Sequence, residues 1–229
     1  LVSDPIDQAG VDILSQVAQV DQRPGLSPEE LVSVIGDYDG LMIRSGTQVT
    51  AEVIAAASKL KIIGRAGVGV DNVDVPAATQ RGVLVVNSPE GNTIAAAEHA
   101  LAMMLSLSRH VPQAHAGMRT GKWDRKKYVG NELYKKTLGV VGLGKIGSHV
   151  ARVARAMGME VIAYDPFIAA DRAQQMQVRL TELDELFRTA DYVTLHIPRT
   201  KDTENLVNAE LLRTMKPTAR IVNCARGGV

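Results

Sequence analysis

Cysteine is almost missing from this sequence: Cys224 is the one example in 229 residues, so no disulfide can form within the chain. That usage suits a reducing compartment, and a cytoplasmic location is expected. Long apolar runs are also missing. The nearest, from Ile94 to Leu107, is interrupted by Glu98 and His99 and is too short to span a bilayer. The opening residues Leu1-Val2-Ser3-Asp4-Pro5 carry no basic region ahead of an apolar core, which excludes a secretory leader there. They read as the inside of a strand, and hence as a trimmed start. A formal charge of +1 gives no electrostatic footprint for nucleic acid or a membrane surface, and neither is expected as a partner. Short-period repeats and low-complexity tracts are absent as well. What is present, 45% hydrophobic and 22% charged residues, is the composition of a soluble globular protein with one large domain or two ordinary ones.

Short β-rich runs alternate with helical patterns along the chain. Strands are expected at Leu41 to Ile43, Leu60 to Ile63, Val83 to Val86, Leu138 to Val141, Val161 to Tyr164, Tyr192 to Leu195 and Arg220 to Val222. Between them, Val11, Leu14 and Val17 share one helical face, as do Leu180, Leu183, Leu186 and Phe187. Strands alternating with helices imply parallel sheets with right-handed crossovers, an α/β architecture. Turn formers crowd Asn87-Ser88-Pro89-Glu90-Gly91-Asn92-Thr93, and Ala95-Ala96-Ala97-Glu98 then starts a strong helix. The expected division is therefore a first domain at 1–89 and a second at 90–229.

The most informative motif is Gly142-Leu143-Gly144-Lys145-Ile146-Gly147. A G-x-G-x-x-G string alone is weak, but here an apolar strand precedes it and a helix follows, with Ile146, Val150, Val153, Ala154 and Met157 on its inner face. The first two glycines allow a tight turn and close approach to a pyrophosphate. The third lets the helix pack on the strand, its positive end towards the phosphates. Asp165 ends the next strand 18 residues after Gly147, where an acid accepts ribose hydroxyls and repels a 2′-phosphate. Pro166 and Phe167 follow it, so no adjacent basic residue invites that phosphate; the cofactor expected is NAD, not NADP. A P-loop is the rival, since Gly139, Gly144 and Lys145 have its spacing. Ile146 then stands where a Ser or Thr hydroxyl must hold magnesium, and Gly139 falls inside the strand. A glycine turn without a ligand is the remaining alternative. No metal is expected.

Three further segments have chemical potential. Gly64-Arg65-Ala66-Gly67-Val68-Gly69 follows a strand and could present successive N–H groups to an anion, or be an ordinary flexible loop. Arg44 at a strand's end could pair bidentately with a carboxylate or phosphate, or simply be solvated. Arg226 follows a strand and precedes two glycines, which lets its guanidinium approach a small ligand.

Taken together, Ile43-Arg44-Ser45, Gly64 to Asn72, Gly91-Asn92-Thr93, Gly121-Lys122-Trp123, the Gly142 to Gly147 turn with Asp165-Pro166, and Asn223-Cys224-Ala225-Arg226-Gly227-Gly228 resemble the D-isomer-specific 2-hydroxyacid dehydrogenases. The resemblance covers essentially the whole chain and is nearest to the members that act on 3-phospho-D-glycerate. It implies a flavodoxin-like N-terminal substrate domain and a Rossmann-type doubly wound domain truncated at its C-terminal end. It assigns substrate contacts to Arg44, Ser45, Gly67, Val68, Gly69 and Asn92. Cofactor contacts fall to Val68, Gly142, Gly144, Lys145, Ile146, Gly147, Asp165, Ile197, Pro198, Cys224, Ala225 and Arg226. Arg226 becomes the catalytic arginine that orients the carboxylate and polarises the C2 oxygen. Cys224 reads as a small packed residue, with no histidine near it in sequence.

The family's proton relay, a histidine paired with a glutamate, lies downstream of the Arg226 motif, and the sequence given ends at Val229. None of His99, His110, His115, His149 or His196 substitutes by position, so the 229-residue polypeptide taken literally is expected not to turn over. The expected reaction is NAD⁺ oxidation of C2 of 3-phospho-D-glycerate to 3-phosphohydroxypyruvate, the first step towards L-serine. Another D-2-hydroxy acid is the near alternative, and a non-catalytic NAD(H)-sensing co-regulator is the distant one. The Lys122 to Lys127 run reads as an exposed arm or a solvated face. The resemblance places Trp123 on a partner subunit, in a homodimer or homotetramer formed through the second domain.

Overall fold

The computed structural model describes residues 1–229. Two compact units make up the chain, Leu1–Asn92 and Thr93–Val229. The sequence reading divided it at 89/90. Glu90 to Asn92 lie with the first unit, and the next helix starts at Thr93.

In the first unit, helices α1 (Gln8–Ser15) and α2 (Pro28–Val34) precede strand β1 (Gly40–Ile43). Helix α3 (Ala51–Ala56), strand β2 (Ile62–Arg65), helix α4 (Val75–Gln80) and strand β3 (Leu84–Asn87) follow. The strands are parallel in the order β1-β2-β3, and isolated parallel bridges tie Val2 to Met42 and to Gln22. Helix α2 starts on a full capping box. The Ser27 side chain accepts from the Glu30 amide, the Glu30 carboxylate accepts from the Ser27 amide, and Pro28 supplies a first turn needing no donor. Leu31, Ile35, Leu41, Ile43, Ile54 and Ile63 are buried in the core. The expected Val11, Leu14, Val17 face is corrected: Val11 alone is buried, and Val17 lies past the end of α1 and is exposed, because the helix stops at Ser15.

The second unit opens on helices α5 (Thr93–Arg109) and α6 (Val111–Arg119). Strand β4 (Thr137–Val141), helix α7 (Lys145–Ala156), strand β5 (Glu160–Tyr164), helix α8 (Ala170–Gln175) and strand β6 (Arg179–Leu180) come next. Helix α9 (Leu183–Thr189), strand β7 (Tyr192–Leu195), helix α10 (Ala209–Arg213) and strand β8 (Arg220–Asn223) complete it. The all-parallel sheet runs β6-β5-β4-β7-β8, which in order of appearance is 3-2-1-4-5, the doubly wound order of a dinucleotide fold. Leu180 is corrected from helix to strand: it pairs with Ala163 in β6, and α9 begins only at Leu183. Beta-strand β6 itself was not foreseen, since two residues carry no alternation to read.

Strands β4 and β7 are buried along nearly their whole length, as befits central parallel strands covered on both faces. Val150 and Ala154 of α7 are buried in one core with Leu138 and Val140, and Ile146, Val153 and Met157 pack at its margin, so the expected inner face forms. Gly139 lies inside β4, where a Cβ would meet Leu186 Cγ at 2.8 Å and Ala190 Cβ at 3.1 Å. This glycine therefore serves sheet–helix packing, which removes the P-loop reading.

Candidate functional site

In the second unit the strand order reverses between β4 and β7, and ligands of such sheets bind beyond the carboxyl ends of the strands there. Val141 ends β4 and Gly142 turns the chain at φ 92, a left-handed conformation that favours glycine. A Cβ on Gly142 would stand 2.7 Å from the His196 carbonyl oxygen and 2.7 Å from Ile197 Cγ2, so the turn can lie this close to the β7 loop only without a side chain. The His196 amide donates to the Val141 carbonyl at 2.8 Å and fixes that loop against β4.

Gly144 is the cap residue of α7. It provides no side chain to the helix's leading amides, and the space where a Cβ would be is open. Gly147, one turn in, would drive a Cβ into the Gly142 carbonyl, so the third glycine sets how closely α7 approaches the strand end. Lys145 is exposed at the first helical position and Ile146 is half-buried against the core. An uncapped helix start, a bare turn and a positive helix end together fit a diphosphate.

Asp165 lies directly after β5, and the Val141–Tyr164 register brings it beside the turn. Its Oδ2 accepts the Leu143 amide at 2.7 Å and its Oδ1 the Phe167 amide at 2.9 Å. The acid was expected only as a ribose ligand; the structure gives it a second task, closing the glycine turn. Each oxygen keeps lone-pair capacity for a sugar hydroxyl.

After β8, the chain forms a small self-tied turn. Asn223 Oδ1 accepts the Ala225 amide at 3.0 Å and Asn223 Nδ2 donates to the Arg226 carbonyl at 2.9 Å. Arg226 Nη1 donates to the Ala225 carbonyl at 2.9 Å. Sequence reasoning singled out Arg226 and quoted Asn223 in its motif without giving it a task; the signal for that task was a short amide side chain just before a turn. Cys224 packs on the core, and burial raises its thiol pKa, so it is a poor thiolate. Ile197 is half-buried and Pro198 is exposed, its carbonyl accepting from Thr203 Oγ1 at 2.6 Å. His196 shares a hydrogen bond of 3.0 Å with Thr194 Oγ1, and burial pushes its pKa down to about 4, which leaves the ring neutral at pH 7.

The first unit gathers its candidates at one sheet edge. Ile43, Arg65 and Asn87 are cross-strand partners, so Arg44, Ala66 and Ser88 each begin a loop at the carboxyl edge of β1, β2 and β3. Arg44 and Ser45 are exposed, and Arg44 Nη1 reaches the Pro5 carbonyl at 3.4 Å. In the glycine loop, Gly67 has φ 153 and its carbonyl accepts the Ser88 amide at 3.0 Å. Asn87, also unforeseen, donates through Nδ2 to the Val68 carbonyl at 2.6 Å. Val68 and Gly69 are half-buried, and Asn92 is exposed at the unit's end. Trp123 is 72% exposed beside the basic run that it interrupts.

Residues 101–229, more than half of the chain, match the family described as D-isomer specific 2-hydroxyacid dehydrogenase, NAD binding domain. Across all 229 residues the chain is 65% identical to a D-3-phosphoglycerate dehydrogenase of a Synechocystis species, covering 41% of that protein. It is 50% identical to the protein of the same name from Methanocaldococcus jannaschii, covering 44% of it. The chain thus spans about two fifths of the length of these relatives. Among solved structures, a Thermus thermophilus protein, TT0316, superposes with a TM-score of 0.90 at 34% identity over 99% of this chain and 73% of its own. An NAD⁺-bound 3-phosphoglycerate dehydrogenase of Entamoeba histolytica gives 0.82 at 31% identity over 99% and 72%. An Aquifex aeolicus D-lactate dehydrogenase solved with NAD and lactic acid gives 0.86 at 26% identity over 99% and 69%.

Proposed function

The chain belongs to the D-isomer specific 2-hydroxyacid dehydrogenases, whose cofactor is NAD, and on that premise we propose that it works in a D-3-phosphoglycerate dehydrogenase. The observation that carries the proposal is the turn at Gly142 to Gly147, closed by Asp165 onto the Leu143 amide in front of an uncapped α7. Whole-chain similarity to dehydrogenases of that name supports the substrate, 3-phospho-D-glycerate, and the product, 3-phosphohydroxypyruvate, on the way to L-serine.

In this reading Gly142, Gly144, Lys145, Ile146 and Gly147 hold the diphosphate and Asp165 the adenosine ribose. Ile197, Pro198, Cys224 and Ala225 line the rest of the dinucleotide. NAD⁺, when bound, would supply the hydride acceptor for C2. Arg226 orients the substrate carboxylate and stabilises negative charge on the C2 oxygen as the carbonyl forms. Arg44, Ser45, Gly67, Val68, Gly69 and Asn92 bind the substrate's acidic groups. The first unit serves as a flavodoxin-like substrate domain. Counted with the bridges at Val2 and Gln22, its parallel order is 2-1-3-4-5.

Oxidation also needs a base for the hydroxyl proton, tuned near neutral pH. His196, neutral and with a pKa of about 4, is mismatched to that task. A polypeptide limited to residues 1–229 is therefore expected to bind NADH without turning over. Steady NADH production from 3-phosphoglycerate by that polypeptide would overturn this part. The substrate assignment is tested on the full-length protein with 3-phosphoglycerate, D-lactate and glyoxylate in parallel. A preference for either unphosphorylated acid would defeat it. The proposal extends to a cytoplasmic homodimer or homotetramer with Trp123 in the contact. Trp123→Ala should lower the sedimentation coefficient, and an unchanged oligomer would reject that contact.

A further inference from the structure

Two buried polar residues of the first unit, Asp4 and Asn72, converge on the short loop that begins at Arg44. Both are only 7% exposed. Asp4 Oδ2 accepts the backbone amide of Arg44 at 2.6 Å and that of Thr47 at 3.1 Å. From the other side, Asn72 Nδ2 donates to the carbonyl of Arg44 at 2.7 Å and to that of Thr47 at 2.6 Å. The same two peptide positions are therefore gripped through their donors by one side chain and through their acceptors by another. Ser45 and Gly46 form the tip between them.

Neighbouring groups tighten the grip. Ser3 and Thr47 share a hydroxyl hydrogen bond of 2.9 Å, and a Cβ on Gly46 would come within 2.5 Å of Asp4 Oδ1. The Asn72 carbonyl accepts the Val49 amide at 2.8 Å, which ties the end of the glycine segment to the same loop.

Amides of a four-residue surface loop could be left to water, but the Asp4 carboxylate is buried and accepts two of them. Taking such a charge out of water is costly unless several donors meet it. Here the donors are peptide N–H groups of the loop itself, so what the burial secures is the position of the Arg44 backbone. We propose that Asp4 and Asn72 are positioning residues that fix Arg44, relative to the glycine loop, for an acidic group of the substrate. The inference rests on the reading above that Arg44 contacts substrate.

The test is a mutant cycle in the full-length enzyme. Arg44→Ala should raise KM for 3-phosphoglycerate about 100-fold, and Asp4→Ala or Asn72→Ala about tenfold, with kcat within about threefold and NADH affinity unchanged. Asp4→Asn, which keeps an oxygen for the two amides, should recover most of the Asp4→Ala loss. In the Arg44→Ala background, Asp4→Ala should add little, because the side chain it positions is gone. If Asp4→Ala does not fold, Gly46→Ala carries the same cycle by pushing the carboxylate aside. An unchanged KM in the Asp4 and Gly46 variants, or the same multiplication of KM in both backgrounds, overturns the proposal. An unchanged KM in Arg44→Ala instead removes the Arg44 assignment, and the proposal with it.

Discussion

The carboxylate of Asp165 accepts Leu143 and Phe167 amides through its two oxygens, so replacing it alters both the sugar site and the turn that precedes it. Asp165→Asn keeps the volume and one acceptor oxygen, sets an amide NH2 against the other backbone N–H, and drops the charge that repels a 2′-phosphate. NADH should bind about tenfold more weakly and the preference for NADH over NADPH should narrow, as read by fluorescence titration with each. Retained discrimination would show that something else excludes the phosphate. His196 predicts a pH effect. Its ordinary pKa is 6.5 and its folded value is about 4, so between those values the unfolded chain binds a proton that the folded chain refuses. Stability is unaffected above the upper value and falls as pH drops through the window. At pH 4.5 the loss is on the order of 2 kcal/mol. Urea melts at pH 7 and pH 4.5 should show His196→Gln losing less over that range than the parent chain.

Among the elements, β4 and α9 meet at a residue whose replacement runs against the usual rule. Glycine inside a strand normally gives way to alanine with a gain, since glycine costs more backbone entropy on folding. At Gly139 the added methyl would press into Leu186 and Ala190, both fully buried. Gly139→Ala should therefore destabilise by about 1–3 kcal/mol, the range for overpacking a filled core, measured by chemical denaturation. A neutral or stabilised variant would show that α9 can retreat. In the first unit the capping box of α2 is worth testing alone. Ser27→Ala removes the acceptor of the Glu30 amide and should cost about 1 kcal/mol in the same measurement.

For the molecule as a whole, two compact units carry different parts of the proposed chemistry. Every cofactor residue assigned above except Val68 lies in Thr93–Val229. NADH at about 100 times its Kd should thus add roughly 2.7 kcal/mol to that unit's stability by mass action. Hydrogen exchange should slow across β4, α7 and β5 far more than across β1 to β3. Equal protection of both sets would contradict a cofactor held mainly by the second unit. No helix is long and apolar enough to cross a membrane.

Much of this was legible without coordinates because it depends on local rules. The alternation of apolar strands with helices gave the α/β class, the glycine spacing gave a tight turn between a strand and a helix, and Arg226 stood out by its place after a strand. Strand β6 escaped because two residues carry no period, and Val17 and Leu180 were misplaced because a helical face can be counted beyond the helix that bears it. The tasks of Asp4, Asn72, Asn87 and Asn223 were likewise hidden. A short polar side chain looks the same in sequence whether it is solvated or ties up a loop, and what decides is which unpaired peptide groups the folded sheet edge brings within 3 Å of it. Sequence alone gave the α/β class and the strand–glycine turn–helix order around residues 138–156. Tertiary structure alone decided which buried groups hold the site's loops in place, because those hydrogen bonds join residues as far as 43 positions apart.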